Sequence, residues 1–527
     1  MAVATTRVRF KGTDVYAEQF RGAPTMSAAD PFTAGGAAGA PSSPHQAASV
    51  GRRLGGWRAS AMGPNAVVAA DGQRLQARSR DLARNNPIAV RASSLIQTHT
   101  VGSGIVPQWT LSNAKLNQAI HELYADWIPY ADADGLLDFN GLQNLAVGEM
   151  VEGGESFGRM RTRKLSDGLP VPLQIQMLPT EQVPLYYSAA IAGGTVVQGI
   201  ERNLLGQRQA FWMYRANPGD MNMDMSVDSA LLTRVPAADV FHLYNLRRIG
   251  QMRGLPWLAA AMTPLYHIGS YQDAERDRKK TVAMLVGFIK RNASREMSAD
   301  DLAAAWGQTL REFGGLPQVA LEPATMQYLD VGEDVEFTQP ADVGGNYEAF
   351  IAANYREVAA AADVLYEELT GDWKNANDRT FRAQFNTFKR RASQWQYGLV
   401  GFQFLRPVIN RWVDLAIASG ALRVPKSVRM QDLYRYQLIP QRWDYLNPKQ
   451  DIEAVQAEMA AGLTARSVEV AKRGDNVDQI DQARAADQAR ERKLGIQPMV
   501  LAQPAKTAPV DGDPAAQPNP DEETTGS

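Results

Sequence analysis

The patterned part of the chain opens with a helical period. Within residues 75–99, Leu82, Ile88, Leu95 and Ile96 fall on one face while Arg78, Arg80, Arg84 and Arg91 fall elsewhere, the mark of an amphipathic helix. Pro87 divides the stretch, so the pattern predicts two helices, the second capped by Asn85 or Asn86 with proline at its start. Residues 115–127 and 138–151 predict two more. The period then shortens. Residues 155–161, 172–177, 200–203, 209–214 and 240–244 are short, apolar or aromatic, and partly alternating, with turn residues such as those of 217–220 between them; they predict strands. Helical spacing returns over 256–280 and over 345–369, where Tyr347, Phe350, Ile351, Val358, Ala362 and Leu365 recur. Phe381, Phe385 and Phe388 form one stripe on a helix starting near Asp378, continuing through Trp395 and Phe402 until Pro407 kinks or breaks it. Near the end, Asn447 and Pro448 read as a cap and first position, Ile452, Val455 and Met459 as a buried face, Gly462 as a stop and Thr464 as the start of a short helix. Gly474 and Asp475 make a turn, and a last helix ends at residues 492–495, basic and then glycine. Helices flanking a β-rich centre make this an α+β chain.

Composition narrows the chemistry more than the fold. The chain has 527 residues, 45% hydrophobic and 21% charged, ordinary values for a globular protein with two or three domains. It has no cysteine, which removes disulfides, thiolate zinc sites and thiol nucleophiles. A formal charge of −2 does not suit tight gripping of DNA, which needs a basic excess, and leaves room only for loose or local contacts. The apolar run at 281–289 is far too short to span a bilayer, and the start lacks a signal-peptide pattern; a soluble chain made inside the cell is expected. Residues 1–65 are rich in Ala, Gly, Pro and Ser, and 496–527 in Pro, Ala and Asp; both are expected to be disordered.

Enzyme constellations are missing. No phosphate-binding Gly-x4-Gly-Lys-Ser/Thr loop and no His-Glu-x-x-His occurs, and the five histidines are scattered. Asp132, Asp134 and Gly135 hint at a calcium loop, but the later ligands are out of place, so an Asp-rich turn before a helix is the better reading. Glu367 and Glu368 are adjacent and so do not face each other on a helix. His242, between Phe241 and Leu243, is expected on the polar face of a strand. No metal and no cofactor is expected.

Five segments in order along the chain resemble the portal proteins of tailed bacteriophages, lambda family: RSRDLARNNPIAVRASSLIQTHTVGSGIVPQ (78–108), GGESFGRMR (153–161), MRGLPWLAAAMTPLYHIGSYQDAERDRKKTVAMLVGFI (252–289), YEELTGDWKNANDRTFRAQFNTFKRR (366–391) and RWDYLNPKQDIEAVQAEMAAGLTARSVEVAKRGDN (442–476). The resemblance implies a portal fold: a wing at 66–255, a stem helix at 256–283, a clip at 284–339, a second stem helix at 340–369, a tunnel loop at 370–380, a wing return at 381–446 and a helical crown at 447–495. It implies a dodecameric ring at one vertex of the capsid, assembled in the host cytoplasm. Double-stranded DNA would pass through its channel without sequence readout during packaging and ejection. Terminase large subunit and head–tail connector or adaptor proteins would dock on it, beside capsid and scaffold proteins, with no membrane involved and no enzyme activity of its own.

On that plan Asp372, Trp373, Lys374, Asn375 and Arg379 belong to or adjoin the tunnel loop, and Arg276, Arg278, Lys279 and Lys280 lie on a stem helix. The cations among them and Asn375 are expected to touch phosphate transiently, without base readout. The same run on the stem helix also reads as a solvated face or a row of intersubunit ion pairs. Lys374 and Arg379 also read as helix caps or partners of Asp372 and Asp378, and Trp373 as packing against a neighbouring subunit. The alternatives for the whole chain are another oligomeric virion component or a nucleic-acid-acting packaging enzyme.

Overall fold

The computed structural model describes residues 56–57, 59–219, 231–284, 288–291, 311–313, 316–318, 333–336, 347–374, 376–443, 447–473 and 477–495. The expectations for the arm before residue 56, for the tail after 495, for most of 284–346 and for the turn at 474–475 lie outside them. Two units are distinguished, 1–62 and 63–527, and the elements named here belong to the second.

The paired helices at the start are α1 (Pro64–Asn85) and α2 (Pro87–Thr100). Between them Asn86 leaves helical geometry, and its side-chain oxygen accepts the N–H groups of Ile88 and Ala89 at 3.0 and 3.1 Å. Asn86, not Asn85, is therefore the cap, and it supplies donors that the first turn cannot satisfy itself. Strand β1 (Val106–Trp109) leads to α3 (Ala114–Trp127) and α4 (Phe139–Gly153). Asp132 makes the expected tight turn between these helices, its carboxylate accepting the backbone N–H groups of Asp134, Leu136 and Leu137. Gly154 ends α4 with φ 92°, and a Cβ there would lie 2.5 Å from the backbone carbon of Leu255; only glycine meets both demands.

Strand β2 (Glu155–Thr162) pairs antiparallel with β3 (Leu173–Leu178) on one side and β9 (Val240–Tyr244) on the other. A five-stranded antiparallel meander of β4 (Ala189–Ile191), β5 (Gly194–Val197), β6 (Ile200–Asn203), β7 (Arg208–Tyr214) and β8 (Leu232–Pro236) forms a second sheet. The period of two divides the smaller sheet between two cores. Met160, Leu173, Ile175, Phe241 and Leu243 join a large core with α2, α3 and α4. Phe157, Leu178 and Val240 face the other way, onto Ile200, Phe211, Met213 and Val235 of the meander. Gly158 faces the larger core, where the Phe241 ring lies 2.1 Å from the place a Cβ would take, and Phe241 stacks on Phe404 at 4.1 Å.

A short 3-10 turn, Trp257–Ala260, precedes α5 (Met262–Met284). Two antiparallel pairs follow, β10 (Phe288–Arg291) with β13 (Glu333–Glu336) and β11 (Arg311–Phe313) with β12 (Leu316–Gln318). The helix expected over 345–369 is two helices, α6 (Tyr347–Ala362) and α7 (Tyr366–Thr370). Asp363 stands between them at φ 62°, a left-handed conformation that the helical spacing of its apolar neighbours gave no reason to expect.

Helix α8 (Asp378–Gln394) runs on through Trp395–Leu405 into α9 (Arg406–Ala418). Pro407 does not break it. The turns ahead of it widen instead, the Arg406 N–H reaching back five residues to the Gly401 oxygen, and proline falls in the first turn of α9, where its missing N–H matters least. Strand β14 (Tyr436–Ile439) returns to pair with β1. The chain closes with α10 (Pro448–Ala460), α11 (Arg466–Lys472) and α12 (Val477–Leu494). Asn447 caps α10 as expected. The face expected to be buried there is not: Ile452 is 39% exposed and no residue of α10 is buried, because no described element of this chain covers it. Among the described residues no helix is long and apolar enough to cross a membrane.

Candidate functional site

The loop after α7 is built from local hydrogen bonds. Gly371 takes φ 72° and its N–H closes α7 on the Glu367 oxygen at 2.9 Å. Asp372 then organises the turn: its carboxylate accepts the Tyr366 hydroxyl at 3.1 Å and the Lys374 N–H at 3.2 Å. Burial, aided by that hydrogen bond to Asp372, pushes the Tyr366 hydroxyl above its ordinary pKa. Asn377 caps α8 by accepting the Arg379 N–H at 3.0 Å. Trp373 is half-exposed and meets the Phe381 ring edge-on at 5.1 Å. Arg379 is exposed in the first turn of α8, and Asn375 lies outside the described residues.

Lys374 is not an isolated cation. Its Nζ lies 2.7 Å from Glu348 Oε1, with both side chains over 70% exposed, and that hydrogen bond raises the ammonium's pKa. Glu348 is in the first turn of α6. Its neighbour Tyr347 stacks on Tyr271 of α5 and receives Lys279 Nζ over its ring at 5.6 Å. The two sets of residues singled out in the sequence thus converge on one turn of α6, Lys279 from α5 and Lys374 from the loop. The remaining α5 cations pair along their own helix: Arg276 with Asp273 at 2.8 Å, Arg278 with Glu275 at 2.7 Å and Lys280 with Asp277 at 3.3 Å. These are the three-residue spacings at which opposite charges meet on a helix surface. The row at 276–280 is largely self-neutralised.

Two further joints were invisible in the sequence. His99 on α2 lies 2.8 Å from Glu368 of α7, with the Phe388 ring edge-on at 4.8 Å and Trp443 stacked at 5.5 Å. Three of the segments that carried the resemblance meet there. The other joint is fully buried. The Arg253 Nε lies 2.9 and 3.0 Å from the two carboxylate oxygens of Glu155, and its remaining N–H groups donate to the Gln198 and Val183 oxygens at 2.6 and 2.9 Å. The Gly254 N–H adds a bond to Glu155 at 3.0 Å. Burial alone would push this carboxyl up, but Arg253 and the His242 hydrogen bond hold it down to about 2.

His242, expected on a polar strand face, is buried between the rings of Phe157 and Tyr244 at 4.3 and 4.4 Å. Every position of β9 is buried because this strand has a core on each side. Arg208 lies 3.0 Å from its Nδ1, and a guanidinium can only donate. Nδ1 must therefore accept, so Nε2 carries the proton and donates to Glu155 at 2.8 Å. Burial pushes the imidazole down to about 4 against the pull of Glu155. The cluster is a structural tie between the two sheets, its histidine and carboxylate each held by partners within the fold. Among the described residues no group of acids or histidines gathers to hold a metal.

Comparison with known proteins completes the picture. The family model "Phage portal protein, lambda family" matches residues 50–396. A probable portal protein of Halomonas phage phiHAP-1 is 22% identical over 457 residues, covering 83% of this chain and 84% of that one. Portal protein B of Escherichia phage lambda is 22% identical over 492 residues, covering 85% and 89%. Among solved structures, a chain in the neck of a native gene transfer agent particle, computed with C12 symmetry, is 15% identical and covers 75% of this chain and 93% of that one, with a TM-score of 0.42. By the family match over residues 50–396, this chain belongs to the lambda family of phage portal proteins, structural components of the virion rather than enzymes.

Proposed function

We propose that twelve copies of this chain close into a ring at one vertex of the capsid and form the channel through which double-stranded DNA enters and leaves. The observation that carries this reading is the family match across residues 50–396. In it, residues 66–255 and 381–446 form the wing, α5 and α6 the stem, 284–339 the clip that meets terminase and the head–tail connector, and 447–495 the crown. The uncovered face of α10, with Ile452 exposed, suits a crown helix whose partner is the neighbouring subunit. Residues 370–380 form the tunnel loop.

Within the channel, Lys374, Asn375 and Arg379 touch phosphate transiently, with Asp372 and Trp373 shaping the loop. Exposed pairs such as Lys374–Glu348 exchange readily with solvent, so the cation can pass from Glu348 to a moving phosphate without holding it. Arg276, Arg278, Lys279 and Lys280 contribute less, since each has a carboxylate on its own helix. Electron microscopy of the purified chain tests the ring: twelve-fold particles with an axial hole are expected, and a chain that stays unassembled across salt and concentration overturns the reading. Deleting residues 374–377 tests the loop. Intact rings with impaired packaging are expected, and normal packaging refutes the loop's role.

A further inference from the structure

One face of β2 carries an arrangement of charge that the channel reading does not use. Glu155 and Phe157 lie on the face covered by the meander, and the next positions on that face are Arg159 and Arg161. Arg163 follows the end of the strand, yet its N–H still bonds the Pro172 oxygen at 2.9 Å, so it keeps the alternation. Three guanidiniums therefore stand in a row, alternate residues of a strand being roughly 6.7 Å apart. Among the described residues no carboxylate lies within ion-pair distance of any of them. The acids nearby are engaged: Asp132 with three backbone N–H groups, Asp239 with Arg411 and Asp167 with the Lys164 N–H.

The row is held in place by neutral partners. Arg161 donates Nε to the Gln176 side-chain oxygen at 2.9 Å, and Arg163 donates to Gln174 at 2.8 Å. The Gln174 amide nitrogen is committed to the Tyr130 and Asp132 oxygens at 3.1 and 2.9 Å, which turns its oxygen toward Arg163. Partial burial and then the flanking Arg159 and Arg163 push the Arg161 pKa below its ordinary value. Like charges aligned on one half-buried face oppose folding, and among the described residues no carboxylate pairs with them.

We propose that this face of β2 binds the phosphate backbone of duplex DNA at a site separate from the tunnel loop. A linear, evenly spaced set of guanidiniums held by glutamine oxygens matches a linear polyanion, and Arg is a regular phosphate ligand. An acidic protein partner is less well matched, because protein interfaces centre on apolar surface and the centre of this face is the three arginines and two glutamines. The proposal rests on the portal reading only in taking DNA as the polyanion at hand.

The test is fluorescence anisotropy of the full-length protein with a short duplex of arbitrary sequence, titrated over roughly 50 to 200 mM salt. The triple variant Arg159→Gln, Arg161→Gln, Arg163→Gln should lower the slope of log affinity against log salt by roughly 2 to 3, and weaken binding about tenfold or more at the lowest salt. The same drop is expected in a Lys374→Ala, Arg379→Ala background, which separates this site from the loop; rings that failed to form would break the channel reading without touching this difference. A second variant, Gln176→Glu, keeps the arginines and both hydrogen bonds donated by Gln174 but sets a carboxylate where Arg161 already donates. It should weaken DNA binding while keeping or raising the melting temperature. Unchanged affinity and slope in either variant overturns the proposal. So does tighter binding of polyglutamate than of DNA that disappears in the triple variant, which would assign the face to an acidic protein.

Discussion

Glu155 and Arg159 stand four residues apart on the same face of one strand, and the chain treats their charges in opposite ways. Glu155 lies under the meander, inaccessible, with Arg253, His242 and a backbone N–H arranged around it. Arg159, half-buried further along the strand, pairs with no carboxylate among the described residues. A charge taken fully out of water has to be matched inside the protein, since an unmatched one is severely penalised. A half-exposed charge is under no such obligation, and what it lacks inside the fold is available to a partner. The same contrast separates Glu155 from Lys374, whose pairing with Glu348 is open to solvent on both sides.

The largest effect should come from breaking the buried end. Arg253→Met leaves Glu155 buried beside a histidine held neutral, and it also orphans the Gln198 and Val183 carbonyls. Loss of one partner from such a pair costs about 3–5 kcal/mol, read as a lowered urea midpoint of tryptophan fluorescence. A midpoint within error of the unsubstituted chain would mean that the two sheets are not tied through this cluster.

Acid should reach the same cluster. His242 is held near 4 when folded against 6.5 when free, so between those values the unfolded chain binds the extra proton, and stability falls as pH drops from about 6.5 toward 4. Glu155, held near 2 against 4.5, extends the loss in the same direction from about 4.5 toward 2. His242→Gln should be less stable at neutral pH but show a flatter fall between 6.5 and 4. Parallel curves for the two proteins would assign the acid sensitivity elsewhere.

Arg80 marks the middle of the scale. It bridges Glu149 and Glu181 at 2.5 and 2.9 Å, with 24% of its own side chain exposed and 17% of Glu149. Arg80→Ala removes both bonds but leaves water some access to the two carboxylates. A loss of about 1–3 kcal/mol is expected, below that of Arg253→Met; a loss as large or larger would break the link between burial and cost.

This gradation also separates what the sequence reveals from what it hides. Strands β2, β3, β7 and β9 are legible because a core on one or both faces imposes apolar runs. Strands β4 and β5 are not, since Ala189–Ile191 and Gly194–Val197 offer little alternation, and β1 carries a proline and finds its partner more than three hundred residues away. Asn86 as a cap is a local matter and can be read directly. Asp363 in the left-handed region cannot, because the aspartate that breaks the helix also bonds Arg391 of α8, a contact that tertiary structure alone supplies. Among the candidate site residues, the cations are obvious as residue types, but their meeting on the first turn of α6 depends on how α5, α6 and the loop pack. The Glu155–Arg253 pair, 98 residues apart, leaves no mark on either segment beyond glycines whose purpose emerges only in the fold.

The smallest effect belongs to the exposed end. Lys374→Ala removes a 2.7 Å ion pair whose partners are 71% and 73% exposed. Water replaces each group's partner almost fully, salt screens what attraction remains, and two long side chains regain their freedom. The melting temperature should therefore not move measurably, at low salt or high. The loop's shape should also survive, because it is set by Asp372, Tyr366 and Asn377 rather than by the lysine. That makes Lys374→Ala a clean probe: a change in DNA handling without a change in stability would locate the lysine's role outside the fold, in contact with something that passes the loop. A substantial drop in melting temperature would instead show that the pair with Glu348 fastens the loop to α6, and the contrast with Glu155 would then be one of degree.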